Sequence, residues 1–429
     1  MEIGIYIVLI IFQIALIFKV VKFNFISPIY IYIIFYSLCI SLTVAYYYFY
    51  EDKISLYNFD FISNRLFLEA ISFHGLALCA FCLGVLLYYD FAKPKVRKLF
   101  SSSFDSALKF QYALPESLKM MTHIFMCVII LLCAFSYGEM LFFRAEYLIE
   151  KNTTFITLMK LLSFVTVLML GVSYKNQKWI SVFYFALIML IATGTGSRLA
   201  VVYLLVFSLL IFISGNKSGF SKFYLGVNIV LSFVYLAFLM SVRSLSTHGL
   251  IPYVGSVFTD STDITSRLVF NVYYTFIFGI FVTSKTLVGD ATTWNTILIS
   301  VNPLPGKWVG WYDVANTLRA NRFAPYSANG EVFSMGKIFT GVFFTLIGIA
   351  FSFMESKMRF LFKTGNRVFG FIIAILCILF VVYSFEYNLR STMRYLYYSL
   401  FVLFIYQILG RYVYKMRFVK VPKSTKSDS

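Results

Sequence analysis

The chain predicts an all-α polytopic membrane protein of about eleven transmembrane helices with one long extracytoplasmic loop, and three observations carry that prediction. Of its 429 residues 60% are hydrophobic and only 13% charged, with a mean hydropathy of +0.81. A soluble domain of this length has no use for so much apolar surface. The apolar residues are gathered into runs close to the roughly 20 residues that cross a bilayer. The cations stand singly at the ends of these runs, so a formal net charge of +18 records membrane orientation rather than a nucleic-acid-binding face.

The runs fall at about 3–19, 27–49, 66–89, 120–139, 154–173, 179–195, 199–214, 223–241, 338–354, 368–385 and 395–412. The first begins at once, behind Glu2 and without a basic leader, and reads as a span rather than a cleaved signal peptide. One set of connections holds most of the 37 lysines and arginines: Lys19 and Lys22, the loop 90–119, Lys175 and Lys178, Lys217 and Lys222, the stretch 357–367, and the tail 413–429. Cations concentrate on the cytoplasmic side, so this set is expected inside, with the C-terminus cytoplasmic. The loop 90–119 is expected on anionic headgroups. The end of the tail, 419–429, is polar and expected to be unstructured.

By the same parity the long segment 243–337 faces outward. It interrupts an otherwise regular alternation and holds Arg243, Arg267, Arg319, Arg322, three of the four tryptophans and Glu331. Within it the run 268–284 is an ambiguous twelfth span. If it crossed alone, the basic stretch 357–367 would move outside. It is therefore expected either to pair with a short second crossing near 291–303 or, preferably, to lie at membrane depth against the bundle. Trp294, Trp308 and Trp311 suit the interface. The whole chain is expected to form a single membrane domain.

The six cysteines lie inside apolar runs and imply no disulfide framework. His74, His123 and His248 fall at no metal-ligating spacing, and no phosphate-binding loop or nucleophile elbow is present, so no metal or cofactor is expected.

The sharpest local pattern is Gly194-Thr195-Gly196-Ser197-Arg198, where one span ends and the next begins. An arginine at that depth is costly unless paired or bound to an anion. Arg243, Arg390 and Arg394 stand at other span ends on the same expected side, and Arg144 lies in a short loop there. Guanidinium forks suit diphosphate and carboxylate oxygens, so a convergence of these arginines suggests a lipid-linked diphosphate. Snorkelling to headgroups is the bland alternative. Glu331, in Pro325-Tyr326-Ser327-Ala328-Asn329-Gly330-Glu331, is the first candidate for a general base; as a structural group it would serve a helix N-terminus or pair with Arg319 or Arg322. Asp313 is the second candidate base. Asn302-Pro303-Leu304-Pro305-Gly306 reads as a rigid turn without chemistry.

Together the spans, the GTGSR step, Ser241-Val242-Arg243 closing the eighth span, and the long loop ending in Asn329-Gly330-Glu331 before Gly336 resemble the O-antigen and capsule oligosaccharide repeat-unit polymerases. The resemblance covers most of the chain in layout. It implies a glycosyltransferase of the bacterial inner membrane that joins undecaprenyl-diphosphate-linked oligosaccharides at the periplasmic face. It implies membrane lipid and a chain-length regulator as partners, and no nucleic acid. By that resemblance Arg198, Arg243, Arg319, Arg322 and Arg394 hold the anionic carrier or sugar. Arg267, Arg390 and His248 are further binding candidates. The family has no settled base, so Glu331 joins Arg198 and Arg243 as the catalytic set on the local reading alone. The similar O-antigen ligases use a loop histidine, which His248 leaves open. A lipid-linked oligosaccharide flippase is the remaining alternative.

Overall fold

The computed structural model describes residues 2–24, 26–50, 62–101, 116–146, 153–174, 177–197, 199–214, 219–242, 245–259, 264–289, 292–320 and 324–413. Helices are the only regular elements among them, as an all-α membrane protein requires. The chain divides into two compact units, residues 1–104 with 276–429, and residues 105–275.

The first unit opens with α1 (Glu2–Val20), α2 (Pro28–Phe49), α3 (Asn64–Phe91) and α4 (Pro94–Ser101). The second holds α5 (Glu116–Ser136), α6 (Thr153–Ser173), α7 (Lys178–Gly194), α8 (Leu199–Ser214), α9 (Gly219–Ser241), α10 (Leu250–Thr259) and α11 (Ile264–Val272). After a π-helical turn at Tyr273–Ile277, the first unit resumes with α12 (Phe278–Thr286), α13 (Trp294–Val301), α14 (Trp311–Ala315), α15 (Ala328–Phe333), α16 (Lys337–Lys363), α17 (Arg367–Glu386) and α18 (Leu389–Val413).

Among the described residues eight helical stretches are long and apolar enough to cross a membrane: 3–20, 28–49, 64–91, 119–136, 154–173, 268–286, 337–363 and 369–386. Three shorter apolar helices, 178–194, 199–212 and 223–239, fall on the expected sixth to eighth spans. α18 covers the expected last span; at 25 residues it is long enough, at about 1.5 Å per residue, but tyrosines and arginines dilute its apolar character. The ambiguous run is helical over a crossing length, whereas the short crossing expected near 291–303 is only the 8-residue α13. Such a helix spans about 12 Å and cannot cross the hydrocarbon. Part of the basic loop 90–119 is the helix α4; residues 102–115 and the tail beyond 413 lie outside the described residues.

The first unit is built on the α3–α16 pair. A Cβ on Gly84 would stand 2.1 Å from the Thr345 carbonyl oxygen, and one on Gly348 would stand 2.2 Å from that of Phe81. Without a hydrophobic drive between helices in lipid, small residues permit the close backbone approach that packs them. Above this contact Tyr32 stacks on Phe81 at 3.7 Å, and the buried His74 of α3 meets the Tyr36 hydroxyl of α2 at 3.0 Å. At the other end of α16 a buried ion pair forms one turn apart, Arg359 to Glu355 at 2.7 Å. Arg359 also donates to the carbonyls of Phe100 (3.0 Å) and Lys22 (2.9 Å), and Ser27 donates to Glu355. One guanidinium thus secures the last turn of α4 and the α1–α2 connection to α16. The Glu-x-x-x-Arg spacing was legible as a helical pair, but nothing in the sequence marked it as buried.

Gly348→Ala is expected to lower the apparent unfolding midpoint in detergent, because overpacking typically costs about 1–3 kcal/mol and here the neighbour is backbone. Gly341→Ala, on the same helix with nothing within 4 Å, is the control and is expected to leave the midpoint unchanged.

Candidate functional site

The segment joining α12 to α16 carries most of the candidate residues of the first unit, and its local sequence explains its shape. Thr293 caps α13 and shares a reciprocal capping box with Thr296. The helix ends at Asn302-Pro303-Leu304-Pro305, and the prolines have a specific consequence. The Ile299 carbonyl would normally receive the N–H of residue 303, and the Val301 carbonyl that of residue 305; proline offers neither. α18 supplies the missing donors. Arg390 donates to Ile299 O at 2.7 Å, to Asn302 O at 3.1 Å and to Leu304 O, and the Tyr397 hydroxyl donates to Val301 O. The turn read as lacking chemistry is therefore a receptor for α18.

The reverse obligation is met by Glu331. α15 is capped by Ser327, whose Oγ accepts the Gly330 N–H at 2.9 Å and contacts Thr283 Oγ1 at 2.7 Å. All six α15 residues are buried. Glu331 accepts the Leu389 N–H, the first of α18, at 2.9 Å through one oxygen and the Ser300 hydroxyl of α13 at 3.2 Å through the other. It thus serves a helix N-terminus, as one structural reading foresaw, but that of α18 rather than its own, through its bonds with Leu389 and Ser300; the expected partner Arg322 lies outside the described residues. Burial pushes its pKa up from 4.5 to about 8, against the lowering effect of the bonds from Leu389 and Ser300. Near neutral pH this carboxyl keeps its proton. Beside it Asn329 is 1% exposed with its Nδ2 unpartnered.

Arg390 is buried, its guanidinium committed to carbonyls and lying 5.5 Å from the Trp311 ring. Trp311, expected at the membrane interface, is instead buried with Leu318 and Tyr326, because it forms the floor under Arg390; Trp294 and Trp308 remain exposed. Arg394, one turn further along α18, is exposed. Arg319 is also exposed and is joined to Pro325 by an isolated antiparallel bridge. Asp313 is exposed on α14.

The second unit contains the GTGSR step. Its glycines have local structural roles. Gly196 takes φ +67°, with its N–H bonded to Thr193 O and the Ser197 N–H to Ala192 O, the paired bonds that close a helix with a left-handed residue. A Cβ on Gly194 would lie 3.0 Å from Leu141 O. Arg144, buried, donates to Gly194 O at 2.7 Å and to Met140 O at 3.2 Å. It pairs through its backbone with His248, both bonds 2.7 Å. His248 is buried, 3.2 Å from the Tyr253 hydroxyl, and burial with the neighbouring Arg144 lowers its pKa. Under the step lies a cavity of about 10 Å³ lined by Lys160, Ser163, Thr195, Ser197 and Tyr203, room for one water.

Arg198, Arg243 and Arg322 lie outside the described residues, as does the side chain of Arg267. Among the described candidates the structure joins Glu331 and Arg390 through α13 and α18, with Arg394 on the same helix, and places His248 beside Arg144 in the other unit. Among the described residues no group of histidine, cysteine and carboxylate side chains could hold a metal. Comparison with protein-family models, with curated proteins and with solved structures finds no match for this chain.

Glu331→Ala is expected to lower the unfolding midpoint in detergent, since stranding the Leu389 N–H and Ser300 removes about 1–3 kcal/mol for each unsatisfied buried group. Glu331→Gln can accept the Leu389 N–H through its amide oxygen and donate its amide N–H to Ser300 Oγ, and is expected to stay within about 1 kcal/mol of the native protein at neutral pH. The sign of the pH dependence follows from the raised pKa. Between 4.5 and about 8 the folded chain holds a proton that the unfolded chain releases, so stability falls as pH rises through that window. Glu331→Gln is expected to flatten this slope in thermal melts taken across it.

Proposed function

We propose that this chain polymerises undecaprenyl-diphosphate-linked oligosaccharide repeat units at the periplasmic face of a bacterial inner membrane. The support is the resemblance carried by the GTGSR step, the Ser241-Val242-Arg243 span end and the Asn329-Gly330-Glu331 segment. The observation that bears on it most is the joint at the start of α18. Glu331 and Arg390 fix the first turn of that helix, and Arg394, exposed on the next, is held on a rigid mount, as a group that must meet a ligand requires.

In the proposed reaction the acceptor hydroxyl attacks the anomeric carbon of the donor. The bond from that carbon to the diphosphate oxygen breaks, and undecaprenyl diphosphate leaves. Arg198, Arg243 and Arg394, with Arg319 and Arg322, hold the departing charge. Arg390 acts as a positioning residue. Glu331, protonated at rest with a pKa of about 8, gives its proton to solvent once α13 moves aside, and the resulting carboxylate takes the acceptor proton. Ser300 must first leave the carboxyl, so the reactive state has α13 displaced. The C-terminus lies in the cytoplasm, and a chain-length regulator sets the product size.

In a strain lacking this gene, Arg198→Ala and Arg243→Ala are expected to restore only single repeat units on the cell surface, although both proteins reach the membrane. Glu331→Gln is expected to fold yet lose polymer by roughly 100-fold or more, the usual weight of a general base. Full-length polymer from both arginine variants contradicts this site. Polymer made on the carrier but missing from the surface in the null strain indicates a ligase instead.

A further inference from the structure

α13 has two different edges. Thr296, Ile297 and Ser300 are buried, and Ser300 reaches Glu331. The opposite edge carries Trp294 and Leu298, one turn apart and 62% and 65% exposed. No residue of α13 is charged, and Asn295 is its one exposed polar side chain. The Trp294 ring lies edge-on to Phe339 at 5.2 Å, in the first turn of α16. α16 is one of the eight stretches able to cross the membrane, and Ile338, Val342 and Leu346 form an exposed apolar stripe along it, a face suited to lipid. Trp294 is therefore level with the end of a span and continuous with its lipid face. That is the depth at which tryptophan concentrates, its apolar body in the acyl region and its N–H among headgroups.

We infer that α13 lies in the plane of the membrane interface, with its Trp294–Leu298 edge in the headgroup–acyl boundary of a phospholipid bilayer. The helix is too short to cross and has one apolar edge at the level of a span end, the geometry of an in-plane helix. The inference rests on α16 crossing the membrane and stands apart from the proposed polymerase activity. Its consequence is that the helix closing over Glu331 rests on lipid. A molecule with an apolar tail, moving sideways in the bilayer, meets α13 before it meets the carboxyl.

The chain has four tryptophans, Trp179, Trp294, Trp308 and Trp311, so fluorescence can report on one. A variant keeping only Trp294, the others replaced by Phe, is reconstituted into vesicles whose phospholipids carry bromine either near the headgroup or deep in the acyl chain. A second variant keeps only the buried Trp311. Trp294 is expected to be quenched most by the shallow bromines and little by aqueous iodide, and Trp311 by neither. Should the multiple replacement disturb folding, Trp294→Phe alone in the otherwise native chain is expected to reduce the bromine-quenchable fraction of the total emission. Quenching of Trp294 by iodide but not by brominated lipid, or by neither, overturns the inference, as does an unchanged quenchable fraction in the single variant.

Discussion

Where helices end inside an apolar bundle, the last carbonyls and first amides have no water to turn to. The joint among α13, α15 and α18 answers this requirement from both directions. Pro303 and Pro305 deprive α13 of its own closing donors, and α18 returns them through Arg390 and Tyr397. The N-terminus of α18 in turn finds its acceptor in Glu331. Remove either half and a buried helix end is left unsatisfied, at a cost comparable to a large share of a typical folding free energy. The placement of Arg394, of the Trp311 floor and of the α13 edge all follow from that exchange.

Arginine does the same work elsewhere in the chain. Arg144 holds the Gly194 carbonyl within the second unit, and Arg359 gathers the carbonyls of Phe100 and Lys22 in the first. In each case a fork of donors replaces the water that a loop in a soluble protein would use. Among the described arginines Arg144, Arg359 and Arg390 are buried holders of backbone, Arg97 holds carbonyls while exposed, and Arg394 and Arg319 are exposed. A positive charge one residue into α18 is unfavourable for the helix dipole, and the α13 carbonyls compensate it.

The spans were legible because hydropathy over about 20 residues is a direct image of bilayer thickness; the runs 154–173 and 28–49 emerge almost residue for residue. α18 was harder, since its tyrosines make it long without making it uniformly apolar. The candidate site was legible as a region and not as an arrangement. Glu331 stood out as a lone acid after a glycine, yet the partners that enclose it, Ser300 and the Leu389 amide, lie 31 and 58 residues away, and no local spacing encodes them. Arg390 read as an anion binder because its type and position at a span end are the same for either role. Trp311 read as an interface anchor for a similar reason: a tryptophan beside Trp308 gives no sign of which one faces inward. The prolines of Asn302-Pro303-Leu304-Pro305 did carry a usable signal, since two carbonyls, two residues apart, that lose their helical donors call for outside ones.

The central claim is that Glu331 is a neutral, hydrogen-bonded carboxyl at physiological pH, closed by α13 and poised to release its proton when α13 moves. Infrared difference spectroscopy of the membrane-reconstituted protein against its Glu331→Gln variant tests this at the group itself. The account predicts the carbonyl stretch of a protonated carboxylic acid at pH 7, present in the native protein, absent in the variant, and fading as pH passes about 8. A native spectrum with no such band at pH 7, and a carboxylate band in its place, would mean that Glu331 is ionised, and the account of the joint would be wrong.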